Sequence, residues 1–102
     1  MEHEKLTELL TANGLQPNAA RVLACWNEDD DELTTWDIEL LTQLRQPEVS
    51  MATRDLHRRG WLSIRQQRQE GKGRPLNVYR LAMPMREIVR EIVRERTREL
   101  DA

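Results

Sequence analysis

At Gly60 the hydrophobic period of this chain changes from that of helices to that of strands. Before Gly60, four segments carry apolar residues at helical spacing. Residues 3–13 place Leu6, Leu9 and Leu10 on one stripe and stop at Asn13-Gly14. Residues 19–27 follow a break at Gln16-Pro17-Asn18, with Asn18 as the expected N-cap and Val22, Leu23 and Trp26 as the stripe. A third helix is expected to start at Thr34 or Thr35. Asp37 stands three residues after Thr34 as in a capping box, and Ile38, Leu41 and Leu44 are read as facing inward. After a link at Arg45-Gln46, Pro47 suits the first position of a fourth helix, where no amide donor is needed. That helix runs to about Arg59, buries Val49, Ala52 or Thr53, and Leu56, and ends at Gly60.

After Gly60, Trp61–Arg65 and Asn77–Leu81 read as strands, joined by the glycine-rich loop Glu70-Gly71-Lys72-Gly73-Arg74-Pro75. Pro84 opens a last helix through Leu100. The expected fold class is mainly α (α+β): a winged helix-turn-helix with a two-stranded β-hairpin wing and a C-terminal helix. Residues 1–83 would form the winged helix-turn-helix DNA-binding domain with its N-terminal helix, and 84–102 the appended C-terminal helix.

A chain of 102 residues fits one small domain with a modest core, which leaves little room for a water-excluding catalytic cleft. There is no Phe, so three Trp and one Tyr supply the bulky packing. No apolar run is long enough for a membrane span, and the first residues lack the apolar core of a signal peptide. The single cysteine, Cys25, excludes an internal disulfide and a multi-thiolate metal site, and points to a reducing, cytoplasmic setting. Gly-x-Ser-x-Gly, P-loop, His-Glu-x-x-His and Cys-x-x-Cys patterns are absent, so no enzyme, cofactor or metal function is expected. The acidic run Glu28–Glu32 lacks the spacing and central glycine of a calcium loop and reads as solvated.

The net charge of −2 conceals a strong asymmetry. Residues 1–44 hold 2 basic and 10 acidic side chains; residues 45–80 hold 9 basic and 3 acidic; residues 81–102 hold 5 of each. The basic middle third is suited to a polyanion. Fourteen of the 16 basic residues are arginine, whose planar fork matches phosphate and guanine edges.

Three stretches carry a family resemblance. They are Leu33-Thr34-Thr35-Trp36-Asp37-Ile38, then Leu44-Arg45-Gln46-Pro47-Glu48-Val49-Ser50, then Arg54-Asp55-Leu56-His57-Arg58-Arg59-Gly60-Trp61-Leu62. With the wing Gly71-Lys72-Gly73-Arg74-Pro75 and Tyr79-Arg80-Leu81, this order resembles the archaeal winged-helix transcriptional regulators of the ArsR/MarR/TrmB type over about residues 15–82. The resemblance implies a DNA-binding homodimer in the archaeal cytoplasm, with the helix after the turn in the major groove. Two departures stand out. Residues 46–59 lack the paired cysteines of ArsR-type metal sensors, and about twenty residues follow the wing where larger TrmB-type proteins carry an effector domain. No fingerprint of a small-molecule effector pocket is present.

On the recognition helix, about 46–59, the residues opposite the core stripe include Gln46, Pro47, Ser50, Met51, Arg54 and Arg58. Gln46 is suited to adenine, Pro47 and Met51 to a thymine methyl, Arg54 to guanine or phosphate, and Arg45 and Arg58 to phosphate. In the wing, about 69–75, Lys72 and Arg74 sit at the tip, where an arginine fits a narrow minor groove. Arg65, Arg68 and Arg80 line the strands and are either solvated or bound to phosphate. Thr34 and Thr35 either cap the third helix or aim its N-terminus at a phosphate. On the last helix, Met85, Ile88, Val89, Ile92 and Val93 form an apolar patch. This patch is read as the dimerisation surface, helped by Leu6, Leu9 and Leu10; packing within one subunit is the alternative. Its flanks are expected to pair as Glu87–Arg90, Glu91–Arg94 and Glu95–Arg98. Two rival functions remain open at this stage: a winged helix that docks other proteins, and an architectural DNA binder with little sequence preference.

Overall fold

The computed structural model describes residues 3–68, 71, 73 and 75–101. The chain order is α1 (His3–Ala12), α2 (Pro17–Leu23), β1 (Leu33–Thr34), α3 (Thr35–Thr42), α4 (Gln46–Arg58), β2 (Leu62–Gln67), β3 (Leu76–Leu81) and α5 (Met85–Asp101). This is the expected α+β architecture, with one addition. The hairpin β2–β3 is joined on its far side by β1, giving an antiparallel sheet of order β1-β3-β2. A strand of two residues has no readable period, which is why the sequence suggested only two strands.

Two glycines end helices as their positions foretold. Gly14 (φ +96°) and Gly60 (φ +84°) both take the left-handed conformation. After α4, the Gly60 amide donates to the His57 carbonyl and the Trp61 amide to the Leu56 carbonyl. The same pair of bonds closes α1, from Gly14 to Thr11 and from Leu15 to Leu10. These bonds satisfy carbonyls that a helix end would otherwise leave orphaned.

Several boundaries differ from the sequence reading. Helix α2 begins at Pro17, not after Asn18, because proline's fixed φ suits the first helical position; Gln16 precedes it without a side-chain cap. It ends by Leu23, and Trp26 is buried beyond it, with its indole donating to the Asp31 carbonyl at 3.0 Å. The α3–α4 turn comprises Gln43, Leu44 and Arg45, starting two residues and ending one residue earlier than the expected link. Gln43 adopts φ +61°, an uncommon conformation for a non-glycine residue. Its side chain donates to the Leu40 carbonyl at 2.8 Å. Leu41 does not face inward: it is 53% exposed, and Thr42 is buried in its place, with its hydroxyl donating to the Ile38 carbonyl at 2.7 Å.

The core gathers Leu6, Leu10, Leu23, Ile38, Val49, Leu56, Trp61, Leu62, Tyr79, Ile88 and Ile92 in one cluster. Burying each large aliphatic side chain stabilises the fold by about 1.5–3 kcal/mol. Helix α5 joins this cluster through Ile88 and Ile92 and is fastened at three further points. Asp29 of the acidic loop accepts the Met85 amide at 3.0 Å, the Trp61 indole donates to Glu91 at 2.7 Å, and Arg59 pairs with Glu95 at 3.8 Å. Glu91 and Glu95 therefore reach the domain instead of forming the expected pairs along α5. The acidic loop, expected to be merely solvated, is exposed but structurally engaged through Asp29, Asp31 and Glu32.

Candidate nucleic-acid interface

Helices α3 and α4, joined by a three-residue turn, form a helix-turn-helix. Each helix starts from a defined cap. Thr34 Oγ1 accepts the Asp37 amide at 3.1 Å, and Asp37 Oδ2 accepts the Thr34 amide at 2.9 Å. This reciprocal box stabilises α3 by about 1 kcal/mol. At α4, Glu48 accepts the Arg45 amide at 3.0 Å. A carboxylate at that end also complements the helix dipole, so Glu48 orders the start of the helix although it adds no cationic character.

With both ends fixed, α4 divides cleanly. Val49, Ala52, Thr53 and Leu56 are buried. Gln46, Pro47, Met51, Arg54 and Arg58 are exposed, and Ser50 is half-buried. Met51 is 70% exposed, so its side chain is accessible on this face. An open groove of about 460 Å³ runs between this face and the start of α2, with Gln16 and Asn18 on one side and Met51, Arg54 and Arg58 on the other. The turn at Gly60 passes the chain directly from α4 into β2, so the hairpin neighbours α4.

The cations of this region differ in availability. Arg54 is exposed and, among the described residues, forms no salt bridge. Arg58 pairs with Asp55, which also holds Arg59 at 3.4 Å. Arg59 lies over the Trp61 ring, 5.2 Å from its centroid, and so acts as a structural residue at the junction of α4, β2 and α5. Arg65 of β2 is paired with Glu32 at 2.9 Å, and Arg80 of β3 approaches the same carboxylate at 3.7 Å. Arg68 is exposed. Gly71 takes φ +72°, which supports the expected tight turn. Lys72 and Arg74, the expected tip contacts, lie outside the described residues. Of the cap residues, Thr34 and Thr35 are both half-buried.

Sequence reasoning missed Glu32, Asp55 and Gln43. Asp55 had a readable signal, since Arg58 and Arg59 follow it at i+3 and i+4. Glu32 had none, because its reach to the hairpin depends on the unforeseen β1–β3 pairing.

The expected dimer patch divides in the single chain. Ile88 and Ile92 are 0% and 4% exposed and sit in the chain's own core, with Met85 and Val89 packed against it. Val93 stays 40% exposed and Leu100 is exposed seven residues on, along the same stripe. Leu9 of α1 is also partly exposed, whereas Leu6 and Leu10 are buried.

Cys25 is buried, its thiol facing the Arg21 carbonyl at 3.4 Å. Burial pushes the thiol up from its ordinary 9.0 to about 12. The folded thiol therefore stays neutral at pH 8, with roughly 10³-fold less thiolate than the unfolded chain. Alkylation of native protein at pH 8 is expected to be more than ~100-fold slower than in denaturant; equal rates would contradict a buried structural role. The sign of the linkage is also fixed: this contribution to stability is complete below pH 9 and is lost as pH rises toward 12. Among the described residues, no group of three or more His, Cys, Asp or Glu side chains is arranged to hold a metal ion, and no helix is long and apolar enough to cross a membrane.

No protein-family model matches the chain, and no curated protein matches it. Solved structures do share its fold. One is described as a possible transcriptional regulator from Methanosarcina mazei Go1, with a TM-score of 0.69 and 20% identity over 99% of this chain and 81% of that one. Another is Pex from Synechococcus sp. (strain PCC 7942), with a TM-score of 0.54 and 18% identity over the full length of both chains. At these identities the likeness concerns the fold.

Proposed function

We propose that this chain is a transcriptional regulator that binds double-stranded DNA as a homodimer, a winged helix-turn-helix protein of the archaeal ArsR/MarR/TrmB type. The observation that carries this reading is the division of α4: a helix fixed at both ends, with one buried stripe and an opposite face of Gln46, Met51, Arg54 and Arg58 open to a ligand. In this reading α4 enters the major groove, Arg54 and Gln46 read base edges, and Pro47 and Met51 meet thymine methyls. Arg45, Arg58, Arg65 and Arg68 contact phosphates, and Lys72 and Arg74 reach the minor groove or backbone. A two-fold dimer formed through the still exposed part of α5, at Val93 and Leu100, and through Leu9 would impose a palindromic site. Occupancy of that site would block or adjust promoter use. The fold shared with a possible transcriptional regulator supports this reading.

A second reading has its own observation. Trp36, Leu40 and Leu41 are all exposed on α3, and such an apolar face favours docking to another protein. Amide chemical-shift mapping separates the two. Titration with a random-sequence duplex at low salt is expected to shift resonances of Gln46–Arg58 and Leu62–Arg68. Absence of these shifts would remove the DNA reading and favour the docking module.

A further inference from the structure

The hairpin's outward face holds its arginines in an unusual way. In the β2–β3 register, Leu62 pairs with the core residue Leu81 and the exposed Ile64 with the core residue Tyr79 on one face of the sheet, so Ser63, Arg65 and Arg80 lie on the opposite face. Leu33 of β1 pairs with Tyr79, which places the preceding residue, Glu32, beside Arg80 on that outer side. Glu32 thus bridges two strands: one carboxylate oxygen accepts from Arg65 at 2.9 Å and the other approaches Arg80 at 3.7 Å. All three side chains are 40–50% exposed, so these pairs are cheap to break and a phosphate can compete for both guanidinium groups.

We propose that Glu32 is a selectivity-determining residue of the DNA-binding surface, an internal carboxylate that occupies Arg65 and Arg80 in the free protein and gives them up only to a closely seated phosphate. The inference rests on the DNA-binding reading and deepens it. Non-specific affinity comes almost entirely from phosphate neutralisation, and each phosphate neutralised adds about 0.9 to the slope of log affinity against log salt. A loosely bound duplex leaves the Glu32 pairs intact and gains little from these two arginines. A duplex docked in register on α4 brings its backbone to the hairpin and displaces the carboxylate. Glu32 thereby lowers binding to the wrong sequences more than binding to the right one.

The test compares wild type, Glu32→Gln and Glu32's loop neighbour Asp30→Asn. Asp30 is exposed and forms none of these ion pairs, so Asp30→Asn removes the same charge without freeing an arginine. Affinity for a random-sequence duplex is measured between about 50 and 200 mM salt. Glu32→Gln is expected to bind about 3- to 10-fold more tightly than wild type and to steepen the slope by about 0.9 or more, while Asp30→Asn stays within about 2-fold. Glu32 is exposed and outside the core, and a thermal melt of each variant confirms that the fold is intact. If wild type binds DNA and Glu32→Gln gains nothing, or Asp30→Asn gains as much, the role of Glu32 is overturned while the DNA reading stands. If none of the three proteins binds duplex at the lowest salt, both are overturned.

Discussion

Ile88→Ala is expected to lower the unfolding free energy by about 2–4 kcal/mol, the range for truncating a fully buried aliphatic side chain. Ile88 is 0% exposed and belongs to the cluster that also holds Leu10, Leu56 and Trp61. For a domain of this size the loss corresponds to roughly 4–8 °C in Tm per kcal/mol. Because the contacts lie within one chain, the loss is expected at every protein concentration. Val93→Glu should behave oppositely, changing the stability of the isolated chain by no more than about 0.5 kcal/mol while weakening self-association. Urea denaturation over a range of protein concentrations, with sedimentation of each variant, checks both. A neutral Ile88→Ala would show that α5 does not pack as described, and unchanged association of Val93→Glu would remove this surface from the proposed dimer.

The second large effect is on recognition. Arg54→Ala is expected to cost about 1–3 kcal/mol of discrimination at one base pair of each half-site, a loss of about 5- to 150-fold, if Arg54 forks onto a guanine. The side chain is exposed, so the thermal midpoint should hardly move. Arg58→Ala should matter less, since Asp55 already engages Arg58 in the free protein. Lys72→Ala combined with Arg74→Ala should weaken binding to every sequence alike and flatten the salt slope by up to about 1.8. Competition binding of a preferred duplex against single-base variants distinguishes these outcomes. An Arg54→Ala protein that keeps its full preference at every position would place base reading elsewhere.

Much of this fold could be read from local signals. Gly14, Gly60, Pro84 and the Thr34–Asp37 box each announce a helix end through their own backbone chemistry and act as expected, whereas Pro47 stands at the second residue of α4, one place inside the expected first position. What stayed hidden depended on tertiary context. Strand β1 is two residues long and exists only because Tyr79 and Val78 lie opposite it. Leu41 has the apolar character of a core residue but faces outward, since periodicity cannot decide which side of an apolar helix is covered. For the candidate site, the exposed polar face of α4 followed directly from its buried stripe. The state of the cations followed only in part: the Asp55 partner of Arg58 stands at i,i+3 in the sequence, whereas Arg65 is engaged by Glu32, a carboxylate that only the fold delivers. The patch on α5 showed the same ambiguity, because an apolar stripe does not reveal whether it meets its own domain or a second copy.

The central claim is sequence-specific binding of duplex DNA by a symmetric dimer. Selection of bound duplexes from a random pool at near-physiological salt tests it most directly. The expected result is a two-fold-symmetric motif with half-sites about one helical turn, 10–10.5 base pairs, apart or a multiple of that spacing. Recovery of no motif by folded, dimeric protein would contradict it.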